Sequence, residues 1–190
     1  MNELYEPQED SFLLQKHVKE HAKGIVLDIG AGTGIQALEA AQSKKVVKVF
    51  AVDINEEAIK YCIRHIENKK IIFAMSNLFS LFKKDKRYKQ IKFDTIIFNP
   101  PYLPTDEKHK DPALDGGRKG YELICKFLHE SKKFLKPKGK ILIVFSSLTG
   151  KEKLDKFLIE NYWKFKELDK QHIFFEDLFV YVINKCSKNH

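Results

Sequence analysis

The segment Asp28-Ile29-Gly30-Ala31-Gly32-Thr33-Gly34 decides the fold class of this 190-residue chain. It directly follows a short apolar run at Gly24–Ile29 and precedes a helical pattern at Ile35–Ser43. Glycines at such a junction let the backbone turn sharply and let a ligand approach it closely. A strand, a glycine-rich turn and a helix in this order are typical of nucleotide-binding α/β folds.

The rest of the chain alternates short apolar runs with helical patterns. The further strand candidates are Val47–Val52, Lys70–Met75, Phe93–Phe98 and Lys140–Phe145. The further helix candidates are Ser11–Lys19, Glu56–Asn68, Gly120–Leu135 and Lys151–Tyr162. Because the strands are almost continuously apolar, the pattern predicts a parallel sheet that is covered by helices on both faces.

The C-terminal part of the chain has a different pattern. Trp163–Leu168 and His172–Ile183 are separated only by a short break at Asp169–Gln171, which predicts a closing antiparallel hairpin and therefore a mixed sheet. Pro137-Lys138-Gly139 is expected to end the helix before the fifth strand. Asn55 is expected to cap the helix that follows it.

Composition bounds the class of protein. Hydrophobic residues make up 43% and charged residues 32% of the sequence, and its length fits one domain over 1–190, with 1–20 as an irregular segment and a helix. No apolar run approaches the roughly 18–20 residues that a membrane span needs. The first ten residues are polar and acidic, which is not the pattern of a signal peptide. The expected location is the cytoplasm, with the nucleus as an alternative.

The formal net charge is +8, which could attract nucleic acid. However, arginine occurs only at Arg64, Arg87 and Arg118, and the lysines are scattered, so the charge is interpreted mainly as solvated surface. The 3 cysteines contain no CxxC pair, which argues against a disulfide framework or a zinc knuckle. His17 and His21 are four residues apart on a helix without an obvious third ligand, so no metal site is expected.

Two acidic residues make the glycine loop more specific. Asp53 ends the second strand nineteen residues after Gly34, where a carboxylate can accept hydrogen bonds from a ribose diol. Asp28 at the start of the loop suits the ammonium group of S-adenosylmethionine and would repel a pyrophosphate. The spacing G-x-G-x-G also differs from the dinucleotide G-x-G-x-x-G. Asn77 follows the third strand and could bind an adenine edge, although it could equally be a turn residue.

The fourth strand ends in Asn99-Pro100-Pro101-Tyr102. Two prolines fix an extended backbone, so the Asn99 side-chain oxygen and the Pro100 carbonyl could accept both hydrogens of a planar –NH2 group. Tyr102 offers an aromatic face to the substrate. The alternative is a proline turn that merely closes the strand. Because this loop and the glycine loop both follow parallel strands, they are predicted to meet at one edge of the sheet.

Five pieces of sequence carry a specific resemblance. They are Tyr5–Ser11, Asp28–Gly34, Asp53–Asn55, Asn99–Tyr102 and Leu114–Gly120, and they occur in this order along the chain. In these pieces the chain resembles the HemK-type protein glutamine methyltransferases, in the short form found in archaea and eukaryotes. Because the resemblance is to the short form, no counterpart of the helical N-terminal domain of the longer bacterial members is expected.

The resemblance implies a seven-stranded, mostly parallel, doubly wound class I methyltransferase fold with a C-terminal antiparallel hairpin. It implies catalytic roles for Asn99, Pro100 and Tyr102, and substrate contacts that include Pro101. The implied S-adenosylmethionine contacts are Ser11, Asp28, Gly30, Gly32, Gly34, Asp53, Asn77 and Asn99. Asn77 departs from the aspartate that the family usually has at that position.

The resemblance also implies a substrate and a partner. The family substrate is the glutamine of a Gly-Gly-Gln loop in a peptide-chain release factor, and lysine is reported for some short members. Short members resemble proteins that bind a small zinc-containing activator at a sheet edge, here the strand Ile71–Met75. An adenine or guanine amino methyltransferase and a non-catalytic scaffold of the same fold remain the alternatives.

Overall fold

The computed structural model describes residues 5–101 and 121–186, which form a seven-stranded mixed sheet between two layers of helices. The strands are β1 Gly24–Ile29, β2 Val46–Asp53, β3 Ile71–Met75, β4 Phe93–Phe98, β5 Leu135–Ser146, β6 Trp163–Ile173 and β7 Glu176–Lys185. The α-helices are α1 Glu9–His21, α2 Ile35–Gln42, α3 Glu56–His65, α4 Ser80–Lys84, α5 Glu122–Ser131 and α6 Lys151–Glu160. A short 3-10 helix, Ser147–Thr149, follows β5.

The strand order is β3-β2-β1-β4-β5-β7-β6. The first five strands in this order pair in parallel, whereas β7 lies antiparallel between β5 and β6. The predicted mostly parallel sheet with a C-terminal antiparallel hairpin is therefore confirmed. Ile29, the last residue of β1, pairs with Phe98, the last residue of β4, so the loops that follow these two strands start side by side.

Alternating side chains of the strands feed two separate cores. Leu27 of β1 belongs to the core that contains Phe82, Phe127 and Leu158 of α4, α5 and α6. Its neighbour Val26 belongs to the core on the opposite face, which α1 and α2 cover. This two-sided burial explains why the parallel strands are almost continuously apolar.

Helix α1 attaches the N-terminal segment to the sheet. Leu14 and Val18 are fully buried, and Asp10 precedes them on the same stripe at four-residue spacing. The helix begins at Glu9 with Gln8 at the N-cap, so Ser11 lies in the first turn, where it is buried. The predicted start of this helix at Ser11 was therefore two residues too late, whereas Asn55 caps α3 as predicted, by accepting from the Glu57 amide at 3.0 Å.

The prediction that Pro137-Lys138-Gly139 ends a helix was wrong. Helix α5 already ends at Ser131, and the proline lies inside β5. The pairing of β4 with β5 shifts register between Phe93 and Thr95, opposite this stretch. At such an irregularity a proline, which lacks an N–H group, interrupts no ladder hydrogen bond.

The hairpin was predicted, but its turn was misplaced. The turn lies at Phe174-Phe175, and the polar stretch 169–171 belongs to β6. Strand β6 is at the sheet edge, so water solvates its polar side chains without breaking the strand. The turn itself carries no glycine or asparagine, and Phe174 adopts a φ of 28°, so the usual sequence signals were absent.

Other differences concern element ends and two predicted segments. Helix α4 was not predicted, and α3 and α5 end at His65 and Ser131, earlier than expected. Tyr102 and the Leu114–Gly120 piece lie outside the described residues. Among the helices that the structure describes, none is both long and apolar enough to cross a membrane.

Replacing Gly34 with alanine is expected to destabilise the protein by about 2–4 kcal/mol. Gly34 has a φ of +83°, where a side chain costs about 1–2 kcal/mol. An added Cβ would also lie 2.5 Å from Ile66 Cδ1 and 3.1 Å from Cys62 Sγ, which adds about 1–2 kcal/mol of overpacking. Urea unfolding without ligand measures the loss.

Gly150→Ala is the matched control for Gly34→Ala. Gly150 has a φ of +86°, yet among the described residues an added Cβ would meet only the Lys153 side chain, at 3.5 Å. It should therefore lose only the backbone part, about 1–2 kcal/mol. Equal losses in the two variants would show that Ile66 and Cys62 move aside without cost and would contradict the prediction.

Candidate active site

The glycine loop after β1 is held in a fixed shape by backbone hydrogen bonds. The Gly30 amide donates to the Val52 carbonyl at 2.8 Å, and the Gly34 amide donates to the Ala31 carbonyl at 2.7 Å. Gly30 and Gly32 have φ values of 71° and 53°, which glycine adopts without strain. Contacts within the protein therefore hold the loop in this shape.

The glycine loop faces the segment that follows β4. Among the described residues, a Cβ added to Gly30 would meet the Asn99 carbonyl oxygen, at 3.7 Å. A Cβ added to Gly32 would meet the Tyr5 carbonyl oxygen, at 3.9 Å, again within the part of the chain that the structure describes. Asn99 and the N-terminal segment thus adjoin the glycine loop, and a common cleft between the two loops stays a prediction.

Asp28 is buried beneath the glycine loop and is only 1% exposed. It accepts a hydrogen bond from the Ala37 backbone, while its Oδ2 atom has no hydrogen-bond partner among the described residues. Burial, together with the nearby Asp53, raises the pKa of Asp28 to about 8. Such a carboxylate is stabilised by an added cation, which fits the ammonium group of an amino acid.

Asp53 links the end of β2 to the glycine loop. Its Oδ2 accepts from the Gly32 amide at 2.9 Å, and its Oδ1 accepts from the Asn55 amide at 2.8 Å. Each carboxylate oxygen can accept a second hydrogen bond, and the side chain is only half-buried. Asp53 is therefore fixed in orientation and still able to accept from a pair of hydroxyl groups.

Asn77 lies just beyond the end of β3 and is exposed. Its backbone amide donates to Ser80 Oγ at 3.1 Å in the turn that leads into α4. Leu78 in the same turn has a φ of 48°. Asn77 thus lies at the predicted edge of the sheet, and its contact with an adenine ring remains a prediction.

The Asn99 side chain is held by hydrogen bonds just beyond the end of β4. Its Nδ2 donates to Asp10 Oδ2 at 3.1 Å and to Ser11 Oγ at 3.3 Å. Its Oδ1 is buried and has no hydrogen-bond partner among the described residues. Pro100 follows as a buried residue and Pro101 as a half-buried one. The structure thus leaves an oriented amide oxygen that can accept a hydrogen bond from a ligand.

Asp10 and Tyr5 belong to this site, although the sequence interpretation gave neither of them a role. Asp10 is 4% exposed, and the Tyr5 hydroxyl donates to its two carboxylate oxygens at 2.9 and 3.0 Å. The available signal was the spacing of Asp10, Leu14 and Val18, which places a carboxylate on the buried stripe of α1. A buried carboxylate that ends an apolar stripe needs polar partners, and here Asn99 is one of them.

His17 and His21 lie on α1, and Glu20 adds a third potential ligand atom within 4.8 Å, which the sequence interpretation overlooked. His17 Nε2 is already 3.1 Å from Asp169 Oδ2. Burial lowers the pKa of His21, with contributions from Lys140 and other nearby cationic groups. Those positive charges would also repel an added metal ion. The expectation of no metal site stays a prediction.

Together, these groups can do two things. A ligand that has an ammonium group and a diol can be held by three features. These are a buried carboxylate without a full set of partners among the described residues, an oriented carboxylate and a glycine loop of fixed shape. A fixed amide oxygen beside that loop can hold a hydrogen-bond donor that approaches the ligand.

Comparison with known proteins shows the family. Residues 7–175 match the family model of the methyltransferase small domain. A protein of Methanocaldococcus jannaschii, provisionally named as a protein N5-glutamine methyltransferase, is 41% identical over 162 residues, which cover 81% of this chain and 78% of that protein.

Bacterial relatives are longer than this chain. The release factor glutamine methyltransferase of Thermodesulfovibrio yellowstonii is 30% identical over 72% of this chain, and that of Rhodopirellula baltica is 32% identical over 75%. The matched segments are 54% and 51% of those proteins, so the chain spans about half the length of these two relatives.

Solved structures support the fold. The Mtq2 chain of the E. cuniculi Mtq2-Trm112 complex, described as responsible for methylation of the translation termination factor eRF1, superposes with a TM-score of 0.74. It is 22% identical, and the match covers 97% of this chain and 99% of that one. The ribosomal protein L11 methylase of Lactobacillus delbrueckii subsp. bulgaricus gives a TM-score of 0.66 at 20% identity, over 97% and 82% of the two chains.

The expected resemblance to glutamine methyltransferases is thus confirmed by relatives that carry that name, and the expected class I methyltransferase fold is confirmed by the solved structures. The family match covers nearly the whole of the described chain, including the glycine loop and Asn99. The chain belongs to the methyltransferase small domain family.

Proposed function

We propose that this chain transfers a methyl group from S-adenosylmethionine to the side-chain amide nitrogen of a glutamine, in the Gly-Gly-Gln loop of a peptide-chain release factor. The observation that carries the proposal is the buried Asn99 Oδ1, which has no partner among the described residues and lies on the segment that adjoins the glycine loop. Relatives named as glutamine methyltransferases support the choice of glutamine.

Residues at the carboxyl edge of the sheet would hold the cofactor. Asp28 would pair with its ammonium group, Asp53 would accept from its ribose hydroxyls, and the exposed amide of Asn77 would contact the adenine edge. Gly30, Gly32 and Gly34 would let the cofactor approach the loop closely, and Ser11 and Asn99 would border it on the other side. When bound, the cofactor supplies an electrophilic methyl group.

The protein's contribution to the transfer is to bind and orient the nitrogen. A glutamine amide is a poor nucleophile because its lone pair is delocalised. Asn99 Oδ1 and the Pro100 carbonyl would accept its two hydrogens, which aims the lone pair and stabilises the positive charge that develops on nitrogen. Orientation of this kind can contribute up to about 7–11 kcal/mol. The nitrogen afterwards loses one proton to water, and Tyr102 would cover the substrate group.

The free edge of β3 is where we place a small zinc-binding activator. Within the described sheet, β3 pairs only with β2, and its sequence, Ile71–Met75, is apolar throughout. Its outward N–H and C=O groups can pair with a strand from a partner, which would protect an edge that otherwise favours aggregation. The solved Mtq2 structure is a complex with Trm112, which supports a partner of this kind.

The alternative is methylation of an adenine or guanine amino group, because the net charge is +8 and such a group is also planar. Mass spectrometry of a release factor, after co-expression with this chain and the activator, separates the two functions. Mono-methylated glutamine in the Gly-Gly-Gln loop is expected. Unmodified release factor together with methylated RNA or DNA would overturn the proposal.

Asn99→Ala is expected to lower kcat by about 10²–10³-fold, as does loss of one oriented hydrogen-bonding group in other enzymes. The melting temperature should stay within a few degrees, because the side chain lies at the end of a strand and not in either core. Single-turnover methyl transfer to the release factor measures the effect. Asn184→Ala removes an amide that donates to the Gly139 carbonyl and serves as the control. Full activity of Asn99→Ala would refute the acceptor-site assignment.

Cofactor affinity is expected to rise with pH between 6 and 7. Asp28 is protonated in this range because its pKa is about 8, and it must lose its proton to pair with the ammonium group. The dissociation constant should therefore fall about tenfold over this pH unit. The cofactor's amino group stays protonated here, since an α-amino group has a pKa of about 7.7–8.0.

Isothermal titration calorimetry measures this linkage. Titrations in buffers with different ionisation enthalpies should show about one proton released per cofactor bound at pH 6. Asp28→Asn, which cannot titrate, should bind more weakly and without this pH dependence. A dissociation constant that is flat between pH 6 and 7 in the unaltered protein would exclude the proposed pairing.

A further inference from the structure

We propose that Asp10 is a positioning residue, which fixes the direction of the Asn99 amide and thereby sets a hydrogen-bond acceptor, not a donor, against the substrate. The inference rests on the proposed function, because it concerns the same acceptor site. It assigns a role to a carboxylate that touches neither the reacting nitrogen nor the methyl group.

Asp10 accepts hydrogen bonds from three neighbouring described residues, Asn99, Ser11 and Tyr5. Its Oδ2 accepts from Asn99 Nδ2 at 3.1 Å, and its Oδ1 accepts from the Ser11 backbone amide and, at 3.1 Å, from Ser11 Oγ. The Tyr5 hydroxyl donates to both oxygens. Asp10 is 4% exposed and Ser11 is 3% exposed, so water does not compete strongly for these bonds.

This arrangement decides which way the Asn99 amide faces. The two ends of a side-chain amide have nearly the same shape, so packing alone hardly distinguishes one orientation from its reverse. An ionised carboxylate can only accept hydrogen bonds, so the –NH2 end of Asn99 must point toward Asp10. The opposite end, Oδ1, is then left without a protein partner in the described structure. The reversed amide would present two donors to a substrate that itself offers donors.

The charge of Asp10 adds to the effect of its geometry. A hydrogen bond to an ionised acceptor is stronger than one between neutral groups, and it polarises the amide that donates it. Polarisation in this direction makes Asn99 Oδ1 a better acceptor for the substrate –NH2 group. Burial, followed by the proximity of Asp10, raises the pKa of Tyr5 well above its usual value, so Tyr5 remains a donor to Asp10 at neutral pH.

Asp10→Asn tests the proposal with a change of one atom. An amide at position 10 can turn its own –NH2 group toward Asn99, which favours reversal of the Asn99 amide. We expect kcat to fall by about 10²–10³-fold, similar to the loss of one oriented group. The cofactor dissociation constant should change by less than about threefold, and the melting temperature by only a few degrees. A large fall in melting temperature would indicate a merely structural role and would overturn the proposal.

Asp94→Asn is the matched control. Asp94 is a half-buried aspartate that, like Asp10, accepts from a backbone amide, that of Ile25, at 2.8 Å, but it lies at the opposite end of β4. Asp94 also accepts a hydrogen bond from Lys136 Nζ. Asp94→Asn removes one negative charge, as Asp10→Asn does. The control should keep the kcat of the unaltered protein. An equal fall in both variants would assign the effect to net charge or stability and would overturn the proposal.

The exchange variant Asp10→Asn/Asn99→Asp gives a readout that a structural role would not produce. The amide introduced at position 10 can donate to the carboxylate introduced at position 99, and that carboxylate still presents an acceptor oxygen to the substrate. We expect the kcat of the exchange variant to be at least about tenfold higher than that of Asp10→Asn alone. Such a non-additive result is expected for two residues that are joined by a hydrogen bond. A kcat at or below that of Asp10→Asn would overturn the positioning role.

The same assay separates failure of this inference from failure of the proposed function. Unaltered protein with its activator that leaves the release-factor glutamine unmethylated would overturn the proposed function and this inference with it. Unaltered protein that methylates the glutamine, beside an Asp10→Asn variant of undiminished kcat, would overturn the positioning role alone.

Discussion

The parallel pairing of β1 with β4 is the constraint on which the rest of the site depends. Ile29 and Phe98 are paired as the last residues of their strands, so Gly30 and Asn99 begin neighbouring loops. Neighbouring strands lie about 4.8 Å apart, which is short enough for a cofactor on one loop to meet a nitrogen held by the other. The backbone hydrogen bonds between β1 and β4 set this spacing, and burial of both strands on their two faces holds the strands in place independently of the loops.

The carboxyl ends of β1 and β4 hold buried polar atoms that favour an added hydrogen-bond or charge partner. Asp28 Oδ2 and Asn99 Oδ1 are buried and lack partners among the described residues, and a group of this kind costs about 1–3 kcal/mol. The same cost favours the neutral form of the Asp28 carboxyl, and its pKa is therefore raised to about 8. An ammonium group beside Asp28 Oδ2 and an –NH2 group beside Asn99 Oδ1 would supply the missing partners and remove this cost. The site is thus complementary in charge and in hydrogen bonding to a cofactor and an acceptor together.

Much of the fold and the position of the two site loops could be predicted from the sequence, because the sequence patterns that indicate them are local. Apolar runs and the glycine loop gave the strands and the edge at which they meet, and the Asn-Pro-Pro segment marked the acceptor loop. What failed depended on pairing between distant segments. Pro137 is tolerated in β5 because its register with β4 shifts there, and the polar stretch 169–171 stays in β6 because that strand is at the edge. Neither fact is visible in a window of neighbouring residues.

Asp10 shows the same limit at the site itself. In the sequence it is one of several acidic residues near the chain start, where an acidic first turn is ordinary for a helix. Its role depends on Leu14 and Val18, which pack α1 against the sheet. This packing places Asp10 beside Asn99, although the two residues are 89 positions apart in the sequence. Orientation of the acceptor amide therefore depends on apolar packing of α1, not on any local feature of the Asn-Pro-Pro loop.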